Sequence, residues 1–519
     1  MLATERISAP GDEFLNRRTS RHPGGGVLDL DFQNEAGHWS TYVQPSGASF
    51  GFATVPRTTL DPVMAGSDGS IALRGGARRS SLFSSITVQL LMMEASIVAM
   101  VLVGIEVLDT AFPGSREMLR LAVASAIGVF AIGGIVEALA AVRATTSPPE
   151  STTPMPSTTG IIAAYLPNEA PIIVDTVAHH LRTGPPDLEL IVAYNTPMAL
   201  PVEFELERLA AREPRLRILR VEHSRSKAEN VNAALDIATG EIVGVFDSDH
   251  HPEEGCYEQA WRWLADGADA VQGRCAVRPL AGSRNQFLTH VVAAEFEQMY
   301  AVGHPGRTRL HGFGLFGGSN GFWRTATLRE IKLDPSALTE DIDASVRLLR
   351  TGGRIVTDPS IVSAELAPPS MRALCQQRLR WAQGWFQVRR RHLAGIFGNR
   401  EIALRSRLGA VWLFGVGTIM AWIGALVLPM TIDGWIRSDS SIHRSPIVGL
   451  LFAFGTAAFL VQVAVAYHHA LPRSRRPRVF LTYLAANLIF YAYLRIALVR
   501  LSHVHELYGR SVWHVTPRS

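Results

Sequence analysis

Five apolar runs, Ile86–Leu108, Leu119–Val142, Val411–Ile432, Ile447–Tyr467 and Val479–Val499, bracket one long polar stretch. Each run can cross a hydrocarbon core of about 30 Å, so a single soluble domain cannot contain the chain. Its composition agrees: 519 residues, 47% hydrophobic, with a mean hydropathy of +0.13. Only the nearly neutral region 109–120 separates the first two runs, which predicts a membrane hairpin over residues 81–144. Each carries one glutamate, Glu94 and Glu137, read as a helix contact or a near-interface carboxylate in preference to part of a polar path. The net charge of +4 and the pI near 9.1 come without a basic stripe interleaved with aromatics, so no nucleic acid partner is expected. Arginines cluster instead beside apolar runs, as at cytoplasmic membrane flanks. Cys256, Cys275 and Cys375 lack CxxC spacing and read as reduced thiols.

Residues 1–80 are rich in Gly, Ser, Thr, Pro and Arg, lack sustained periodicity, and begin too polar for a secretory leader. They read as a disordered cytosolic arm. A linker follows the hairpin over 145–160. Residues 161–367 alternate apolar strands (Ile161–Leu166, Leu188–Tyr194, Leu216–Val221, Glu241–Phe246, Asp269–Val277) with helical patterns, predicting an α/β domain with a parallel sheet. Residues 368–406 interleave Trp381, Trp385 and Phe386 with arginines, as amphipathic interface helices do. The remaining spans fill 407–500, ahead of a tail over 501–519. The loop Leu471–Arg478 holds four arginines and belongs on the cytoplasmic side. Counting spans then puts the C-terminus outside, against its own basic residues, unless one span is re-entrant or interfacial.

Within the polar domain, "GVFDSDHHPEEG" ends a buried strand in Asp247 and Asp249. Carboxylates two apart at a strand's carboxyl end can converge on one divalent cation; a solvated turn is the alternative. His250 and His251 follow, and adjacent strand side chains point to opposite faces, so one of them, taken as His251, supplements the metal or phosphate shell while the other packs. Further on, Thr339-Glu340-Asp341 precede a helix, which one of them could cap. Arg378 and Arg380 in "QRLRW" present guanidinium forks suited to a diphosphate.

The ordered set of PNE after the first strand, SKAEN, DSD, TED and QRLRW resembles inverting family 2 glycosyltransferases of the processive kind, the cellulose, chitin and hyaluronan synthase type, over about residues 160–400 and the flanking spans. The resemblance implies an A-type glycosyltransferase fold, Rossmann-like, inserted between transmembrane helices. It also implies a UDP-sugar donor, a Mg or Mn cofactor, a β-glycan acceptor and a membrane lipid environment. It assigns Asp249, with Asp247, to the metal and Asp341 to the general base, with Thr339 and Glu340 orienting the acceptor. Asn168, Glu169, Lys227, Asp247, Gln377, Arg378 and Arg380 fall at nucleotide-binding positions. Trp381 becomes a stacking floor for the acceptor, and Ser319, Asn320 and Trp323 lie beside it. The chain departs from many relatives at the second strand's end, where Tyr194 and Asn195 replace a carboxylate that contacts uracil. Asn195 is expected to hydrogen-bond the base and Tyr194 to stack on it. Trp513, Thr516 and Arg518 resemble a family tail motif that would bring the C-terminus to the catalytic face.

The implied activity is inverting transfer of glucose from UDP-glucose to a β-glucan exported by an enzyme of the plasma membrane with its catalytic domain in the cytosol. The alternatives are transfer of one sugar to a lipid, a chitin- or hyaluronan-like product, and a nucleotide-sensing transporter or receptor. An oligomer is possible but nothing in the sequence indicates one.

Overall fold

A computed structural model describes residues 85–143, 147–278, 286–437 and 446–510, together with strand backbone at Ala3–Ser8 (β1), Phe14–Arg21 (β2), Val27–Gln33 (β3), Trp39–Val43 (β4), Ser70–Ala72 (β5) and Val512–His514. Two compact units result, residues 1–64 and 65–519. In the first, β1 to β4 form an antiparallel sheet in sequence order. The rest of the segment read as a disordered arm lies outside the described residues, as do Thr516 and Arg518.

The second unit begins with α1 (Ile86–Ala111) and α2 (Ser115–Val142), the expected hairpin. An eight-stranded sheet follows, built from β6 (Thr158–Tyr165), β7 (Glu189–Asn195), β8 (Leu216–Arg220), β9 (Ile242–Asp247), β10 (His251–Pro252), β11 (Ala270–Arg278), β12 (Gly321–Arg324) and β13 (Ile355–Leu366). Its order is β10-β13-β11-β12-β9-β6-β7-β8. The parallel expectation holds for β8, β7, β6 and β9 and for β11 with β13, but β12 runs antiparallel between β9 and β11. Helices α3 (Leu166–Thr183), α4 (Pro201–Ala210), α5 (Lys227–Ile237) and α6 (Cys256–Ala265) connect the early strands. They bury the sheet's two faces in separate cores, one around Ile162, Leu190 and Phe246 and the other around Ile161, Val245 and Trp323. Alternate strand residues supply opposite faces, and for that reason near-continuous apolar runs were needed.

Later come α7 (Gln286–Glu297), which continues through a π-helical turn at Gln298–Gly303 into α8 (His304–His311), then α9 (Thr325–Ile331) and α10 (Glu340–Arg350). The region expected to hold several amphipathic helices is one 28-residue helix, α11 (Met371–Gly398), capped by Ser370, whose hydroxyl accepts from the Ala373 N–H.

Among the described residues, five helices are long and apolar enough to cross a membrane: α1, α2, Leu404–Ile436, Pro446–His469 and Pro477–Leu507. Glu94 and Glu137 are contact residues, as expected. Arg500 and Tyr493 bind Glu94, while Arg307 and Trp412 bind Glu137. The contacts at the two ends of the last helix bear on the tail. Just before it, Arg473 pairs with Glu253 of the α/β domain at 3.1 Å, and near its end His505 meets Gln89 at the start of α1 while Gln383 of α11 donates to the Arg510 carbonyl. Both ends of this helix therefore touch elements of the unit that carries the α/β domain.

Candidate active site

The carboxyl ends of β6, β7 and β9 lie side by side, with Tyr165 opposite Asn195 and Ala163 opposite Asp247. They open into a pocket whose one wall holds Tyr165, Glu169, Asn195, Lys227 and Asp247. Thr339, Glu340, Asp341, Gln377, Arg380 and Trp381 form the other wall, and Gly317, Gly318 and Ser319 lie between. The sequence motifs, spread over more than two hundred residues, thus meet at the place a sheet of this kind offers to ligands.

Short-range bonds set each group. Glu169, in the first turn of α3, reaches back to accept from the Tyr165 N–H at 2.7 Å. Asn230 donates to the Ala164 carbonyl and to Asn195 Oδ1, and Asn195 donates to the Ser224 carbonyl, so the end of β7 is held rigidly. Lys227 starts α5 behind an Ser226 cap and still reaches the pocket, where it pairs closely with Asp247 and donates to the Gly318 carbonyl at 2.5 Å. Ser319 Oγ accepts from the Asp247 N–H at 3.0 Å. Thr339 is the N-cap residue of α10. Gly384 lets α11 pass directly against it, since a Cβ there would meet Thr339 Oγ1 at 2.5 Å. Arg380 donates to the Leu338 carbonyl at 3.2 Å, tying α11 to the same turn.

Electrostatics single out Asp341. Burial, followed by the neighbouring Glu340 charge, raises its pKa to about 7, against the lowering effect of the Ile342 N–H, Lys227 and Arg380. A carboxyl poised near neutrality can take and hold a proton at working pH. Burial alone would depress Lys227, but Asp247, Glu340 and Asp341 outweigh it and leave the lysine above its ordinary value.

Several expected residues sit elsewhere. Tyr194 points into the sheet core, with its hydroxyl on Glu203 at 2.9 Å, because strand alternation sends it to the face opposite Asn195; it does not stack in the pocket. Trp323 is wholly buried, edge-on to Phe316, and Asn320 donates to the Arg274 and Ile361 carbonyls, so neither lines the pocket. Arg378 is outside the pocket lining, paired with Glu295 at 2.6 Å and lying over the Trp381 ring at 4.3 Å. His251 stacks on His179 at 4.3 Å outside the pocket, and Asn168 is likewise outside its lining. Asp249 is fully buried behind Asp247, its Oδ2 accepting from the Leu366 N–H at 3.0 Å.

Sequence reasoning missed Glu365, which lines the pocket and pairs with His250 at 2.9 Å, as well as Phe296, Met299 and Tyr300 from the end of α7 and the π-helical turn. Glu365 falls on β13, a strand that Pro359 disguised. The oxygen donors of Asp247 and Glu365 at the pocket, with Asp249 behind, suit a hard divalent cation such as Mg or Mn.

The mixed sheet, the Asp-x-Asp at the end of β9 and the half-buried Asp341 in the same pocket define an A-type glycosyltransferase domain beside helices long and apolar enough to cross a membrane. Residues 242–493 match the family described as glycosyl transferase family group 2. Among curated proteins, it is 28% identical over 177 residues to a UDP-forming cellulose synthase catalytic subunit of Xanthomonas axonopodis pv. citri, covering 33% of this chain and 24% of that protein. It is 26% identical to the probable glucomannan 4-beta-mannosyltransferase 7 of Oryza sativa subsp. japonica, covering 34% of this chain and 30% of that one. The chain thus spans less than a third of the length of these relatives. Among solved structures it is similar to the mannosyltransferase PcManGT of Pyrobaculum calidifontis in complex with GDP-Man and Mn2+, at 21% identity and a TM-score of 0.48, covering 76% of this chain and all of that one.

Proposed function

We propose that this protein is an inverting, processive glycosyltransferase that moves glucose from UDP-glucose to a growing β-linked glycan and passes the product across the membrane. The observation that carries the reading is the placement of Asp341 in one pocket with Asp247 and Lys227, at a pKa of about 7.

In this reading Asn195 and Glu169 border the uridine, and Lys227 and Arg380 balance the negative charge of the diphosphate. Asp247, with Asp249 behind it, would hold a divalent cation, Mg or Mn, which stabilises the diphosphate leaving group. The acceptor lies over Trp381 with its hydroxyl turned to Asp341. That carboxylate takes the hydroxyl proton as the oxygen attacks the anomeric carbon, and the bond from that carbon to the diphosphate oxygen breaks on the opposite face. UDP leaves with the electron pair, and the sugar's configuration inverts.

The test is UDP release by the detergent-purified chain with Mg or Mn across a panel of UDP-sugars, with the product sized and digested by linkage-specific glycosidases. A long β-glucan from UDP-glucose is the expected result. A single sugar on a lipid would replace the processive reading, and no release from any donor would overturn the enzymatic one.

A further inference from the structure

Helix α11, the Leu404–Ile436 helix and the Pro477–Leu507 helix converge on a groove outside the transferase pocket. Phe386, Ile419, Trp422, Ile423, His503 and Leu507 form its walls. Phe386 lies 4.1 Å from His503, and Trp422 Nε1 donates to His503 Nδ1 at 3.1 Å, so the polar ring atoms satisfy each other and the surface left over is apolar. Ile419, Trp422 and Leu507 stay 53%, 41% and 69% exposed although they belong to helices fit to cross a membrane. Such a groove faces acyl chains, not water. Its level is set by His505, which meets Gln89 at the start of α1, so the mouth lies at the membrane boundary on the transferase side.

Arg389 stands at that mouth. It is the first of three successive arginines. Arg390 pairs with Glu506 at 3.3 Å and Arg391 with Asp334 at 2.9 Å. Among the described residues no carboxylate pairs with Arg389; its Nε is buried without a hydrogen-bond partner, and its guanidinium lies 5.5 Å from the Phe386 ring centroid. A guanidinium in that position at a lipid boundary, above an apolar channel, complements an anionic oxygen group that carries a hydrocarbon tail.

We propose that this groove binds a membrane phospholipid with an anionic headgroup, its phosphate on Arg389 and an acyl chain along Phe386, Trp422 and Leu507. The groove volume of about 560 Å³ falls within the range of ordinary ligand sites. The inference rests on the membrane-embedded architecture alone and stands apart from the identity of the sugar.

The experiment compares retention of phosphatidylglycerol and phosphatidylcholine by the full chain in neutral detergent, read by native mass spectrometry after delipidation and controlled lipid addition. The wild type should prefer phosphatidylglycerol, and Arg389→Gln should lose that preference by about fivefold, the weight of one basic residue at a charged lipid surface. Arg390→Gln, whose guanidinium is already paired, should keep it. Ile423→Trp, which fills the groove, should reduce retention of both lipids. A wild-type melting temperature and size-exclusion profile report that each variant has folded. Equal retention of the two lipids by the wild type, or undiminished preference in Arg389→Gln, would overturn the proposal. So would full displacement of the lipid by inorganic phosphate, because the charge would then act without the groove.

Discussion

Lys227 and Asp341 face each other across the backbone of Gly318. Lys227 Nζ donates to the Gly318 carbonyl at 2.5 Å, and a Cβ at Gly318 would lie 2.9 Å from Asp341 Oδ2 and 3.6 Å from that same Nζ. Gly318 also holds a φ of +89°, which L side chains rarely adopt. Backbone thus spaces the cation that would balance the diphosphate from the carboxylate that would serve as base.

Gly318→Ala should therefore harm the reaction more than the fold. The new methyl must displace the Asp341 carboxylate, and the positive φ adds a strain of about 1 kcal/mol. We expect UDP release to fall by about a hundredfold, the sensitivity of positioned groups to small displacements, with only a modest drop in melting temperature. An unchanged rate would mean that Asp341 does not act from the position seen here.

Asp341→Asn keeps the shape of the side chain and removes its proton-accepting charge. Transfer should fall by about 10²–10⁴-fold, the usual worth of general base catalysis, while UDP-sugar binding by calorimetry persists. Its folded pKa of about 7 stands above the ordinary carboxylate value, so the wild type loses stability as pH rises through that interval. Asp341→Asn should consequently melt above the wild type at pH 8 and level with it at pH 4. Loss of donor binding together with transfer would instead make Asp341 part of the nucleotide site.

How much of this was legible beforehand depends on which residues carry the signal. Strands β6, β7, β9 and β11 were readable because two buried faces demand unbroken apolar runs. β13 was not, because Pro359 and Ser360 interrupt it. They fall where β13 bulges opposite the Gln272–Arg274 irregularity, and a bulge is a place where proline is tolerated. With β13 unseen, Glu365 had no strand to place it at the pocket. β12 spans four residues in a glycine-rich run that does not read as a strand, so the sequence places Trp323 beside the acceptor, whereas an interior strand covered on both faces buries it. Asp247, Lys227, Asp341 and Trp381 were legible through motif order, but the direction of Arg378 depends on Glu295, about eighty residues away and invisible to any local pattern.

Glu295 is the joint between the transferase and the last apolar helix. It accepts from Arg378 at 2.6 Å, Arg495 at 3.1 Å and Tyr491 at 2.9 Å, and Arg378 in turn lies against the pocket residue Trp381. Glu295→Gln leaves two guanidinium groups without their carboxylate, and breaking a buried pair in this way costs about 3–5 kcal/mol. We expect a lower melting temperature and a higher KM for acceptor oligosaccharide, with donor binding preserved because Asn195 and Lys227 are untouched. A variant that melts normally and binds acceptor normally would show that this joint does not hold Trp381 in place.

The acid limb of the rate profile follows from the two leading causes of the Asp341 shift. A general base works only when unprotonated, so with a pKa of about 7 the value of kcat/KM should climb roughly tenfold per pH unit below neutrality and level off above it. Burial is the larger cause and cannot be removed without rebuilding the pocket, but the Glu340 charge can. Glu340→Gln relieves a like charge, lowers the Asp341 pKa and should move the limb to lower pH. Arg380→Gln removes a charge that favours the ionised carboxylate and should move it to higher pH, even though that variant also weakens the site. Opposite displacements in the two variants, measured with the same donor and metal, identify Asp341 as the titrating group. A limb that ignores both substitutions belongs to a group outside this pocket.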